Sequence, residues 1–181
     1  LRVEDVFYPQ IEGRNTWEKN HSYFDHDGNL YAVYSTTPHR VLQIRGNHAE
    51  WKYHEQVDMP WSWGVEMRGG AAPVRVGDEY WSYFHGKKPP RGHPIYCTGL
   101  YTFEAKPPFR PLRYIPEPID VADESTNVIR NEDGSTRRDN YASVVFCGGA
   151  VSHGSEWVLA CGIHDRHSEL HAFSHADLER R

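Results

Sequence analysis

Residues 68–86 read RGGAAPVRVGDEYWSYFHG, with two apolar or aromatic segments on either side of a Gly-Asp turn signal. Such a turn between apolar runs predicts a β-hairpin. Gly69 and Gly70 lack side chains, so the backbone there can come close to a ligand. Arg68 and His85 would then place a guanidinium and an imidazole near one end of the hairpin.

The same theme occurs three times along the chain. Residues 28–34 (GNLYAVY), 77–83 (GDEYWSY) and 154–160 (GSEWVLA) each place a glycine three residues before an aromatic side chain. Repeated hairpins of one pattern are typical of a β-propeller. We therefore expect an all-β fold of four-stranded antiparallel blades. Helical periodicity is confined to residues 175–180, where Ser174 is a suitable N-cap.

The number of hairpins indicates an incomplete ring. Propeller blades take roughly 40–50 residues, and rings contain four to eight of them. The sequence accounts for about three blades, and three blades would leave open sheet edges that folded proteins avoid. We expect residues 1–181 to be a single propeller domain, either the C-terminal part of a larger ring that lacks its N-terminal blades or a homo-oligomer closed by another copy. Residues 120–140 are polar and predict a long exposed loop.

Composition limits the classes of partner. The net charge is −5 and basic residues are scattered, which argues against nucleic acid. No apolar run approaches the ~18 residues of a membrane span, and no signal-peptide pattern is visible. The three cysteines show no C-x-x-C spacing, which favours a reducing compartment and predicts a cytoplasmic protein. Six Trp and eleven Tyr suit stacking on sugar rings, although β-rich cores also collect aromatic residues.

The order of several short motifs, from about Trp17 to Phe173, resembles glycoside hydrolase family 130, the mannoside phosphorylases. In that family a G-G-x-P-P-[IV] strand precedes a Y-H-G strand end, and here Ala72 occupies the first proline position. Residues 144–150 (VVFCGGA) resemble a V-V-F-P-C-G-A strand, with Cys147 at the proline position, so we expect Cys147 to pack in the core. The resemblance implies a five-bladed propeller that acts on carbohydrate.

Four candidate ligand-binding residues come from the first part of the chain. The family has an E-K-N motif before its third blade, and Lys19 and Asn20 match it as ligands of sugar hydroxyls or an anion. A strand-end H-R pair holds phosphate in the family, and His39 and Arg40 match that pair. The alternatives are a solvated turn at Lys19 and a structural turn around the proline that precedes His39.

The later candidates are Arg68, Tyr83, His85 and Asp165. The first three belong to the opening hairpin and would bind phosphate or sugar. Asp165 falls where the family has an aspartate after its last inner strand, and it would accept hydrogen bonds from sugar hydroxyls. Histidines are frequent in residues 161–175, but their spacing matches no familiar metal site, so no metal is expected.

The segments that would carry catalysis are missing. In the resembled family an aspartate of an N-terminal blade protonates the glycosidic oxygen while phosphate attacks. No segment here resembles the E-D-P-R and N-P motifs of that region, so we expect no catalysis from this chain alone and assign no catalytic residue. The leading hypothesis is a carbohydrate-active propeller that hydrolyses or phosphorolyses glycosidic bonds when complete, with inorganic phosphate as a possible co-substrate and no cofactor. The alternatives are a non-catalytic carbohydrate-binding module and a purely structural propeller fragment.

Overall fold

The computed structural model describes residues 2–15, 18–54, 59, 61, 63–88 and 93–181. Within these residues the chain forms fifteen β-strands and one short helix at its end. Three larger antiparallel sheets follow one another along the chain. The all-β prediction is therefore confirmed. No closed ring is detected among the described residues, so the propeller arrangement stays a prediction.

The first sheet is a four-stranded meander. Its strands in spatial order are β1 (Ser22–His26), β2 (Asn29–Ser35), β3 (Arg40–Arg45) and β4 (His48–His54). Asp27 and Gly28, with φ angles of 50° and 73°, form the two-residue loop between β1 and β2. Positive φ at both loop positions matches the twist of the flanking strands, and Asp-Gly is a preferred sequence for it.

The second sheet is built on two long central strands. They are β7 (Glu79–Lys88) and β8 (Ile95–Glu104), which pair along their whole length. On one side β5 (Val65–Gly69) and β6 (Val74–Val76) both pair with β7, and on the other β9 (Pro111–Tyr114) and β10 (Asp120–Val121) both pair with β8. The sheet is thus a four-row meander whose two outer rows are each interrupted.

The third sheet contains β13 (Val145–His153), β14 (Glu156–Ile163) and β15 (His167–Ser174) in that order. Helix α1 (His175–Arg180) follows directly, and its Asp177 amide donates a 3.0 Å hydrogen bond to the Ser174 hydroxyl. The sequence prediction of a short capped helix at this place is confirmed.

Residues 120–140 depart from the expected long loop. They begin with β10 and contain a separate hairpin of β11 (Val128–Arg130) and β12 (Thr136–Arg138). Gly134, with a φ of 82°, lies in the turn, and Asp133 accepts hydrogen bonds from the Ser135 amide and hydroxyl. The polar composition that predicted a loop is that of a small hairpin whose two strands are largely exposed.

Two cores join the three sheets. An aromatic cluster connects the first and second sheets and includes Phe24, Tyr31, Tyr80, Phe84, Phe103 and Phe109. A second cluster connects the second and third sheets and includes Trp81, Tyr83, Leu100, Val145, Trp157 and Leu159. These aromatic side chains fill cores, as expected of a β-rich fold. In the part of the chain that the structure describes, the one helix is too short to cross a bilayer.

Candidate functional site

A cleft of about 280 Å³ opens where the first and second sheets meet, and we call it the basic cleft. Its walls come from the segment before β1, from the connection between β2 and β3, and from β5. Three of the predicted binding residues line it, namely Lys19, Arg40 and Arg68. The other lining residues are Asn15, His21, Tyr34, Ser35, Thr37, Glu66, Met67 and Gly69.

Arg40 is held in place by neutral partners. Its Nε donates a 2.7 Å hydrogen bond to the Ser35 hydroxyl, and its guanidinium carbon lies 5.1 Å and 5.6 Å from the ring centroids of Tyr34 and Trp51. Among the described residues no carboxylate forms an ion pair with Arg40. A guanidinium fixed in this way keeps donors for an anion or a hydroxyl-rich ligand.

The opposite wall contains a carboxylate between two cations. Glu66 Oε2 accepts a 2.8 Å hydrogen bond from Lys87 and lies 4.0 Å from the Arg68 guanidinium. This hydrogen bond lowers the pKa of Glu66, which is therefore an anion at neutral pH. Glu66 has a φ of 53° and lies at an irregularity in the pairing of β5 with β7. It offsets part of the positive charge of the cleft.

An aromatic wall connects the basic cleft with a larger neighbouring cavity of about 720 Å³, since Asn15, His21 and Tyr34 line both. The Tyr34 hydroxyl donates a 2.8 Å hydrogen bond to Glu18, and the His21 ring lies 4.7 Å from the Tyr34 ring. Burial lowers the pKa of His21. Exposed Phe7, Tyr8 and Tyr23 side chains extend the aromatic surface into the larger cavity.

His85 contacts this region without lining the cleft. Its Nδ1–H donates to the Gly69 carbonyl at 3.0 Å, so Nε2 is the acceptor that faces the Asn20 amide at 3.5 Å. Burial, together with the nearby positive charges of Arg68 and Lys19, lowers the pKa of His85 to about 4. The imidazole is therefore neutral, and it positions Asn20 and Gly69 instead of adding a charge.

The glycine pair serves close contact between chain segments. A Cβ on Gly69 would lie 2.3 Å from the Asn20 carbonyl oxygen, and a Cβ on Gly70 would lie 2.7 Å from the Cys147 carbonyl oxygen. Real Cβ atoms do not approach oxygen so closely, so both positions require glycine. The sequence predicts a close approach to a ligand at these glycines, whereas in the structure the backbone of Asn20 and Cys147 occupies that space.

Two candidate residues lie in the core. His39 has no exposed surface; its Nε2–H donates to the Phe109 carbonyl at 2.9 Å and its Nδ1 accepts from the Tyr101 hydroxyl at 3.1 Å. Tyr83 is equally buried and packs edge-on against Trp157. The expectation that His39 and Tyr83 contact a ligand is therefore corrected: His39 ends the turn before β3 with both ring nitrogens bonded inside the core, whereas Arg40, the first residue of β3, lines the cleft.

Asp165 lies elsewhere, exposed in the turn between β14 and β15 with a φ of 56°. It does not line the basic cleft. Aspartate tolerates this left-handed conformation better than most residues, so the geometry of the turn is enough to explain an aspartate at position 165. Trp17, the start of the resemblance, lies outside the described residues.

The sequence does not predict Tyr34 as a site residue, and it marks Glu66 only as an acidic candidate to which no partner can be assigned. Tyr34 belongs to a hairpin whose aromatic residues are mostly core residues, and Glu66 enters the cleft only through the irregular pairing of β5. Cys147 is buried, as expected. The described residues whose atoms could hold a metal ion, Asp120, Cys161 and His171, lie outside the basic cleft.

Comparison with known proteins assigns no family. No family model matches the chain, and no curated protein has a significantly similar sequence.

Proposed function

We propose that the chain belongs to a carbohydrate-active β-propeller and that its basic cleft binds sugar hydroxyls together with a phosphate-sized anion. One observation carries the proposal: Lys19, Arg40 and Arg68 come from three separate segments and line one cleft. Lys19 and Arg40 resemble ligand-binding positions of the mannoside phosphorylases, and Arg68 stands where that family usually has a lysine, so the positive charge is kept with a different geometry.

The chemistry of the cleft suits such a ligand. Guanidinium groups present several donors in a fixed plane, which fits phosphate and vicinal hydroxyls. The adjoining cavity supplies exposed aromatic rings, including Tyr8 and Tyr23, that can pack against a sugar face. Together the two cavities have room for an anion and at least one sugar ring.

The propeller part of the proposal is supported by the sheets. Two four-row antiparallel meanders and a three-stranded one follow in chain order, and they pack through their faces. Meanders of this kind are the blades of propellers. A complete ring would need further strands from another segment or another copy.

A non-catalytic binding role is the second candidate function. Cleavage of a glycosidic bond needs a carboxylic acid that holds its proton near neutral pH. Glu66 lines the cleft, but its lowered pKa makes it a carboxylate that balances charge. If the protein does cleave glycosidic bonds, the carboxylic acid that protonates the leaving group is supplied from outside this chain.

The test is a calorimetric titration of the full chain with inorganic phosphate and with a methyl mannoside. We expect binding by the native chain and at least tenfold weaker phosphate binding by Arg40→Gln and Arg68→Gln. Arg75→Gln is the matched control, because Arg75 lies on β6 outside the cleft and its Nε donates to the Gly77 carbonyl. Equal phosphate binding by Arg40→Gln, Arg68→Gln and the native chain would refute the cleft as the site.

A further inference from the structure

A second group of polar side chains lies between the second and third sheets. Asp120 lies on β10, Cys161 on β14 and His171 on β15. One potential ligand atom of each residue lies within 4.8 Å of those of the other two. Carboxylate, thiolate and imidazole are the three side-chain types that bind zinc.

Strand register explains why these groups converge. Cys161 is directly opposite Glu169 in the pairing of β14 with β15, and His171 is two residues beyond Glu169. Residues two apart on a strand share a face of the sheet, so Cys161, Glu169 and His171 point the same way. Asp120 arrives from the second sheet, where β10 pairs with β8.

The group is partly enclosed and already ordered by hydrogen bonds. The Cys161 side chain is buried, while those of His171 and Asp120 are 24% and 16% exposed. The His171 Nδ1 lies 2.5 Å from Asp120 Oδ2, and its Nε2 lies 2.9 Å from Glu169 Oε2. A carboxylate on the far nitrogen of an imidazole is the usual support of a metal-binding histidine, since it fixes the ring and the tautomer.

We propose that Asp120, Cys161 and His171 form a zinc site that links β10 of the second sheet to the third sheet. His171 binds through Nδ1 while Glu169 holds Nε2–H, and Cys161 binds as a thiolate. The three protein ligands leave a fourth tetrahedral position for water. Zinc suits the mixture of sulfur, nitrogen and oxygen better than magnesium or calcium, which prefer oxygen ligands alone.

Metal binding requires the ligand atoms to move. With zinc–nitrogen and zinc–oxygen bonds of about 2.0 Å, two such ligand atoms in a tetrahedral site lie about 3.3 Å apart. The His171 and Asp120 atoms would therefore separate from their present 2.5 Å, while all three ligand atoms already lie within 4.8 Å of one another.

The spacing of the histidines in residues 161–175 predicts no metal site. One ligand comes from a strand of another sheet, so no local motif records the site. Without a metal, Asp120 and His171 form an ordinary ion pair in which Cys161 takes no part. A metal site is therefore distinguished from the ion pair by whether the Cys161 sulfur binds the metal, which the absorption spectrum of the bound metal reports.

The experiment is a titration of the full chain, reduced and freed of metal by chelator, with Co²⁺ followed by Zn²⁺. We expect a thiolate-to-cobalt charge-transfer band with tetrahedral visible absorption, which Zn²⁺ then displaces. Cys161→Ser abolishes the band, and His171→Gln weakens affinity at least as much as the 10–100-fold loss expected for Glu169→Gln. Absence of the band in the native chain would overturn the proposal.

Matched controls separate ligands from neighbours. Cys147→Ala removes an adjacent buried thiol but no ligand, and His167→Gln removes the other histidine bonded to Glu169; both keep the band. A band retained by Cys161→Ser or lost in Cys147→Ala would also overturn the proposal. Because Cys161 is buried, circular dichroism of each metal-free variant verifies its fold, and partly exposed His171 provides a second test that does not depend on a core substitution.

Discussion

Arg68 and His85 lie directly opposite each other in the pairing of β5 with β7, yet only one of the two carries a charge toward the basic cleft. Arg68 lines the cleft beside Glu66, whereas His85 is buried and bonded to the Gly69 carbonyl. Burial together with the nearby cations keeps His85 neutral. The cleft thus obtains its positive charge from Lys19, Arg40 and Arg68, and Glu66 offsets part of that charge.

The first prediction concerns the close contact at Gly69. Gly69→Ala places a Cβ within 2.3 Å of the Asn20 backbone, and we expect a loss of about 1–3 kcal/mol in the free energy of unfolding. Ligand binding at the cleft should weaken too, because Lys19 precedes Asn20. The control is Gly148→Ala, whose Cβ meets nothing closer than 3.9 Å. Urea unfolding measures the free energy of unfolding of both variants. Equal values would contradict the claim that a Cβ at position 69 clashes with the Asn20 backbone.

The second prediction concerns the pH dependence of stability. Burial lowers the pKa of His39 to about 4. Between pH 6.5 and 4 the unfolded chain therefore binds a proton at His39 that the folded chain does not. The free energy of unfolding should fall by about 3 kcal/mol from this residue as the pH decreases through that window.

His39→Gln should make this part of the curve less steep, leaving the contribution of His85, whose pKa is also lowered to about 4. It should also lower stability at neutral pH, since Tyr101 and Phe109 lose their partner. His48→Gln, at an exposed position on β4, should leave the curve unchanged. Urea unfolding at several pH values measures both. A native-like slope in His39→Gln would show that other groups cause the acid sensitivity.

The third prediction compares two buried tyrosines. The Tyr83 hydroxyl has no hydrogen-bond partner among the described residues, whereas that of Tyr101 is bonded to His39. Tyr83→Phe should be neutral or stabilising by up to about 1 kcal/mol, and Tyr101→Phe should destabilise by about 1–3 kcal/mol. Tyr83→Phe should also bind phosphate like the native chain. Loss of phosphate binding in a folded Tyr83→Phe variant would show that Tyr83 does contribute to the binding site.

The fourth prediction concerns the charge balance of the cleft. Glu66→Gln removes the carboxylate that offsets Arg68 and Lys87, so anion affinity should rise. Because Glu66 is well exposed, the gain should be about 0.2–1 kcal/mol, at most about fivefold, and it should shrink with added salt. Glu79→Gln, whose partner Arg113 lies outside the cleft, is the control. Weaker phosphate binding by Glu66→Gln would mean that Glu66 itself contacts the ligand.

Local rules predicted the fold better than the site. The Asp27–Gly28 loop and the Ser174 cap follow from backbone preferences of a few adjacent residues, and both are present. Arg40 and His39 are neighbours in sequence but point to opposite sides of the chain, and sequence alone could not tell which faces the ligand. Asp120 and Cys161 meet only because two sheets pack together, so their proximity depends on tertiary structure.

The most direct measurement is chemical-shift mapping of the isotopically labelled chain by nuclear magnetic resonance, with phosphate and a methyl mannoside added separately and together. We expect saturable shifts concentrated at Lys19, Arg40 and Arg68, with further shifts at Tyr34 when the sugar is present. Shifts concentrated at another surface, or none at saturating ligand, would contradict the proposal that the basic cleft binds sugar and phosphate.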